Sequence, residues 1–269
     1  MPPLLAETLT LSRAEPGLWR GEVDPAYANG MSGAFIGQFG GWTAAALLKA
    51  ALGEAPEGQH ARALNAHFFS PVRPGALSVR VRALRRGKSV SFLQSEFVQG
   101  EDVRAQALII VGAGRADAHA HQFAPRPDAP PADAEGLQAF SPPTPFGRAL
   151  QARWVFGAPF MGETDGRSLF WSRTSEPTRF DATSLALLAD YMPPRVFYLT
   201  NSFVPSSTLS MNLHFHGAPE EFEAVGARHV LVGVEGRRVA HGYWDHSAKF
   251  WSPEGVLLGV TEQMALHRG

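Results

Sequence analysis

The sequence predicts an α+β fold in duplicate, one helix followed by several long antiparallel strands and then the same again. Three observations carry this reading. An Ala- and Leu-rich segment heads each half, four strand-like runs follow each segment, and a Pro- and Ala-rich stretch separates the halves. In the first half Gly40-Gly41 opens the segment Trp42 to Leu52 and Gly53 closes it, which is a helix with a glycine stop. Strands are expected near 64–69, 77–84, 90–98 and 103–111. In the second half the helix covers Thr183 to Tyr191 and is halted by Pro193-Pro194. Strands follow near 208–215, 228–234, 239–251 and 256–266.

The duplication can be checked residue by residue. Asn65-Ala66-His67-Phe68 begins a strand in the first half, and Asn212-Leu213-His214-Phe215 lies 147 positions later in the matching strand. Leu47-Leu48 and Leu187-Leu188 sit in the two helices, 140 apart. Gly100-Glu101-Asp102 and Pro253-Glu254-Gly255 mark the last hairpin turns, 153 apart. Three markers in one order point to a tandem duplication. The boundaries follow: an N-terminal unit over 1–112, a linker over 113–146 and a C-terminal unit over 147–269.

Composition removes several classes of function. The chain has 269 residues, 45% apolar and 18% charged, enough for a sizeable core and too apolar for global disorder. Lys and Arg number 24 against 25 Asp and Glu, so no basic excess points to nucleic acid. Cysteine is absent, which excludes disulfides, thiolate metal sites and a cysteine nucleophile. The first residues lack the basic and apolar regions of a signal peptide, and no apolar run approaches a membrane span. The expectation is a soluble cytoplasmic protein with no membrane or nucleic-acid partner.

Common catalytic signatures are missing as well. There is no G-x-S-x-G elbow, no G-x-x-x-x-G-K-[ST] phosphate loop and no H-E-x-x-H zinc site. Gly112-Ala113-Gly114 lacks the third glycine and the helix of a dinucleotide fingerprint. His119 and His121 read as a linker pair, and His214 and His216 as strand-face histidines without a third ligand, so neither metal nor cofactor is expected. Arg80, Arg82, Arg85, Arg86 and Lys88 form the one local basic run, either a solvated outer face or a surface for coenzyme A phosphates.

Several motifs then carry a resemblance. Gln38-Phe39-Gly40-Gly41-Trp42-Thr43, His67 ahead of Pro71-Val72-Arg73-Pro74-Gly75, and Arg85-Arg86-Gly87-Lys88-Ser89 resemble the first half of type II (TesB-like) acyl-CoA thioesterases. Leu187-Leu188-Ala189-Asp190, Ser207-Thr208-Leu209 leading to Phe215-His216, and Thr261-Glu262-Gln263 resemble the second half. The resemblance implies a double hotdog, two antiparallel sheets each wrapping a helix in one chain. It also implies hydrolysis of fatty acyl-CoA by an Asp, a Thr and a Gln acting on water, which fall on Asp190, Thr208 and Gln263. A dimer or higher oligomer is a further family expectation.

Repeat spacing maps those three residues onto Ala50, Ala61 and Ile110, so the earlier copy reads as scaffold without chemistry. A carboxylate can take a proton near neutral pH, and Leu187, Leu188 and Met192 would push its pKa upward, so Asp190 is the expected base. Thr208 and Gln263 would hold the water, with the oxyanion on backbone N–H groups at a helix N-terminus. Strand parity complicates the picture. It groups Thr208 with Ser210, Asn212 and His214, a solvent face unless the strand start curls into the cleft. Gln263 groups with Gly259, Thr261 and Ala265, small neighbours that would leave room for a ligand. Two alternatives stay open: a non-catalytic acyl-CoA-binding module, and an enoyl-CoA hydratase, for which the sequence lacks a D-x-N-x-x-H-like motif.

Overall fold

The computed structural model describes residues 1–31, 34–115, 119–162 and 165–268. The first half runs α1 (Leu5–Thr8), β1 (Leu11–Glu15), β2 (Leu18–Glu22), a 3-10 turn (Pro25–Tyr27), β3 (Ala28–Met31), β4 (Ala34–Gln38), α2 (Gly40–Gly53), β5 (Gln59–Phe68), β6 (Ala76–Arg85), β7 (Val90–Gln99) and β8 (Asp102–Ala113). The second runs β9 (Gln138–Ala139), α3 (Pro145–Ala149), β10 (Leu150–Phe156), β11 (Arg167–Thr174), α4 (Ala182–Leu188), α5 (Val196–Thr200), β12 (Ser206–Phe215), α6 (Pro219–Val225), β13 (Val230–Ala240), β14 (Tyr243–Trp251) and β15 (Leu257–His267).

Thirteen of these strands form one antiparallel sheet in the order β1-β2-β6-β7-β8-β5-β12-β15-β14-β13-β11-β10-β9, with β3 and β4 a separate hairpin. Without β9 the order is a palindrome about the β5–β12 junction. The first repeat contributes its strands outward as β5, β8, β7, β6, β2, β1, and the second as β12, β15, β14, β13, β11, β10. The fold is therefore a double hotdog, joined edge to edge. At the join Asn65 lies opposite Asn212, and the Asn65 Nδ2 donates to Asn212 Oδ1 at 2.9 Å. A residue pairing with its own repeat counterpart marks a local pseudo-twofold axis.

The helices sit inside this wrap because their sequences leave no polar face. From Gly41 to Ala51 every residue of α2 except Lys49 is buried, as expected of a helix apolar all round. Its alanines allow close approach to α4, whose residues Thr183 to Leu188 are likewise buried. Asp181 caps α4, accepting from the Ser184 N–H at 2.8 Å. Lys49 turns its ammonium to the carbonyls of Leu9 (2.6 Å) and Leu11 (3.0 Å), tying the N-terminal segment to α2.

Two expected boundaries are corrected, and two other readings gain detail. The second helix ends at Leu188, so Asp190 lies in the turn beyond it, where the Tyr191 N–H closes back on the Leu188 carbonyl. The strand expected over 239–251 is a hairpin, broken at His241 and Gly242, both at positive φ. The linker lies against the second half at Ala124 and Pro130, whose carbonyls accept the indole N–H groups of Trp251 and Trp171. Arg80 and Arg82 lie exposed on β6, and Arg82 bonds Gln94 of the neighbouring strand.

Leu64 is fully buried on β5, opposite Leu213 at the join of the repeats. Leu64→Ala is expected to cost about 2–5 kcal/mol, read as a lower urea midpoint at unchanged slope. A loss below about 1 kcal/mol would show that the junction does not hold the halves together.

Candidate active site

Asp190, Thr208 and Gln263 converge from three separate elements. Asp190 stands in the turn after α4, Thr208 near the start of β12 and Gln263 in the middle of β15. The Thr208 hydroxyl donates to Asp190 Oδ1 at 3.1 Å. Gln263 donates its Nε2 to the Ala189 carbonyl next door, and its amide also lies close enough to the carboxylate to lower the pKa of Asp190. A carbonyl can only accept, which fixes the orientation of the Gln263 amide.

A β-bulge solves the parity problem at Thr208. The pairing of β12 with β15 runs Thr208 to Ala265 and then Ser210 to Met264, leaving Leu209 unpaired. The extra residue reverses the side-chain phase, so Thr208 shares the inner face with Ala265 and Gln263, while Ser210 faces out with the exposed Met264. The first repeat carries the same bulge at Arg62, between Ala61 and Ala63. Arg62 and Leu209 are separated by 147 residues, the spacing of Asn65 and Asn212. The strand registers also refine the repeat mapping. Met211 pairs with Gln263 and its counterpart Leu64 pairs with Ile109, so Gln263 corresponds to the buried Ile109 and not to Ile110.

The first half does contribute to this site, against the expectation of a silent copy. The Gly41 N–H, in the first turn of α2, donates to Asp190 Oδ2 at 3.0 Å. First-turn N–H groups have no acceptor within their own helix and carry the positive end of its dipole. Two glycines permit this approach. A Cβ on Gly40 would stand 2.7 Å from Asp190 Oδ2, and one on Gly41 would stand 2.2 Å from the Leu187 carbonyl. Sequence patterning could not flag Gly41, because the group that acts is backbone.

Aromatic packing fixes this arrangement from outside. Phe39, which precedes α2, stacks on Phe146 with ring centroids 4.5 Å apart, and Phe146 meets the edge of Tyr191, the neighbour of Asp190. Tyr191 donates its hydroxyl to Ser141 Oγ at 3.0 Å, and burial pushes its phenol up to about 12. On the far side of the turn Arg195 is buried, with its guanidinium on the carbonyls of Pro193 and Gly166 and over the ring of Tyr198. The small residues of β15 sit against other groups of the protein. Leu185 and the His214 carbonyl fill the space at Gly259, and Ala265 packs in a cluster with Trp244.

Burial pushes the Asp190 carboxyl up to about 6, outweighing donation from Thr208, Gly41 and Gln263, each of which favours the charged form. The group is therefore ionised at neutral pH yet basic enough to accept a proton. No group of three or more His, Asp or Glu among the described residues is placed to hold a metal ion. No helix among them is long and apolar enough to cross a membrane.

Fold and site together define a double-hotdog protein with one carboxylate centre at the seam of its repeats. Solved structures share this architecture along the whole chain. A hot dog fold protein of unknown function from Alicyclobacillus acidocaldarius is 28% identical, with a TM-score of 0.89 over 98% of each chain. A putative thioesterase II from Thermobifida fusca is 20% identical, with a TM-score of 0.84 over 100% of this chain and 99% of that one. An acyl-CoA thioesterase II, TesB2, from Mycobacterium marinum is 20% identical, with a TM-score of 0.77 over 98% of each. No curated protein matches the chain. The acyl-CoA thioesterase N-terminal domain matches residues 29–112 and the C-terminal domain residues 116–267, so the chain belongs to the acyl-CoA thioesterase family.

Two outcomes test this geometry. Gly41→Ala should force α2 away from α4 and cost about 1–3 kcal/mol, seen as a lower melting temperature; an unchanged one would contradict the close contact. Asp190→Asn should change the pH dependence of stability. The native carboxyl binds its proton more tightly than the usual carboxylate, so its contribution to stability is fully present below about 3.8 and is lost as pH rises to about 6. The melting temperature of Asp190→Asn relative to the parent should thus rise between pH 4 and pH 7. A flat difference would mean that the carboxylate is not desolvated.

Proposed function

We propose that the protein hydrolyses fatty acyl-CoA to free acid and CoA by direct attack of water. The observation supporting this is a desolvated carboxylate, basic near neutral pH and ringed by a hydroxyl, an amide and a helix N-terminus. In this reading Asp190 takes a proton from water, and the water oxygen forms a bond to the thioester carbonyl carbon. Thr208 and Gln263 hold the water and the carboxylate in register. First-turn N–H groups of α2 not spent on Asp190 are suited to the tetrahedral oxyanion. Collapse of the intermediate breaks the carbon–sulfur bond, and Asp190 returns the proton to the departing CoA thiolate. No metal or cofactor enters this scheme.

The same reading treats residues 1–112 and 147–269 as the two repeats, joined by the 113–146 segment. It assigns the protein to the cytoplasm and to fatty acid metabolism as a dimer or larger assembly.

The test is thiol release from a panel of acyl-CoA esters. Asp190→Asn is expected to lower kcat by about 100-fold or more, the usual worth of a general base, with Gln263→Ala and Thr208→Val also impaired. The kcat/KM of the parent should rise with pH and level off above about 6, following ionisation of Asp190. Equal rates in parent and variants would remove the site. Tight binding of the esters without any release would favour the binding module, and hydration of an enoyl-CoA in place of thiol release would favour the hydratase.

A further inference from the structure

Resting on the thioesterase reading above, we infer that His246 is a positioning residue, holding the Gln263 amide in the orientation that the chemistry at Asp190 requires. His246 has no accessible surface. It lies on β14 directly opposite Gln263 on β15, and cross-strand partners of this kind share a face. On its other flank the strand partner is Gly236, which brings no side chain. The ring packs against Trp244, 5.2 Å between centroids.

Neither ring nitrogen meets a partner at full hydrogen-bond geometry among the described residues. Leaving such a group unmatched in the interior is costly, and of the side chains that act on it, Arg195, Gln263 and Arg237, Gln263 is the one within hydrogen-bonding reach. Burial and the nearby Arg195 guanidinium both disfavour a charged imidazole. A neutral ring presents one N–H donor and one acceptor.

The consequence lies in the amide. A primary amide can face its surroundings in two ways that differ by exchange of oxygen and nitrogen. Toward the Asp190 turn the Ala189 carbonyl demands Nε2. An imidazole N–H directed at Oε1 from the opposite side selects the same orientation. It leaves the second Nε2 hydrogen for the carboxylate or its water. Both contacts favour one state, and losing either lets the amide turn over.

A double-mutant cycle tests the coupling. His246→Leu is expected to lower kcat for acyl-CoA hydrolysis about tenfold at unchanged KM, yet by less than about twofold in a Gln263→Ala background. Losses of the same size in both backgrounds, or a His246→Leu kcat equal to the parent's, would overturn the inference. His246→Asn and His246→Gln each keep one N–H donor near the place of one ring nitrogen. One of the two should recover most of the lost kcat, and failure of both would count against positioning. The side-chain amide resonance of Gln263 gives a readout that needs no turnover. It should shift between parent and His246→Leu in nitrogen–proton NMR spectra, and an unmoved resonance would sink the contact. If the parent releases no thiol, the functional reading fails by itself and the amide resonance still decides the role of His246.

Discussion

The candidate site depends on one electrostatic constraint: a carboxylate taken out of water must be met by donors. Asp190 belongs to the second repeat, yet one of its oxygens is held by the backbone of Gly41 in the first. A buried charge without such partners would either lose its charge or pull the structure open around itself. Burial raises the group to a pKa of about 6 and three donors keep it from rising further, so it is high enough for a base and low enough to stay ionised. The site consequently belongs to neither repeat alone. Separating the halves would take away the helix terminus that meets Asp190 and the β5 partner that flanks β12.

Symmetry supplies the frame and its breaking supplies the chemistry. The sheet reads the same outward from Asn65 and Asn212 in both directions, down to a shared bulge. In the second repeat that bulge turns a threonine inward; in the first it turns Ala61 inward, and Ile109 stands where Gln263 would be. The insertions are asymmetric too. The first repeat places the β3–β4 hairpin before its helix, and the second places the turn with Asp190, the two prolines and α5 after its own.

Much of this was legible in the residues. The alternating apolar runs of β5 to β8 and β12 to β15 follow strand periodicity, and the Ala-Leu segments bounded by glycine or proline follow helix rules. The short strands β1, β2, β10 and β11 escaped, because charges break into their patterns: Arg13 and Glu15 in β1, Arg20 in β2, Arg153 in β10, and Arg167 and Arg173 in β11. The inward turn of Thr208 could not be read, since a bulge is a property of the pairing and parity counting assumes a straight strand. Gly41 escaped because its contribution is a main-chain N–H. His246 left a signal that went unused: it falls in phase with Trp244, Ala248 and Phe250, the inward set of its strand.

The sheet's extent has a bearing on solubility. Thirteen strands in one chain leave two open margins, and both are poor templates for another chain. One is β9, two exposed residues long. The other is β1, five residues of which four are exposed, among them an arginine and a glutamate. Brevity at one end and charge at the other discourage strand-to-strand polymerisation, so the molecule can carry a wide sheet without seeding fibres.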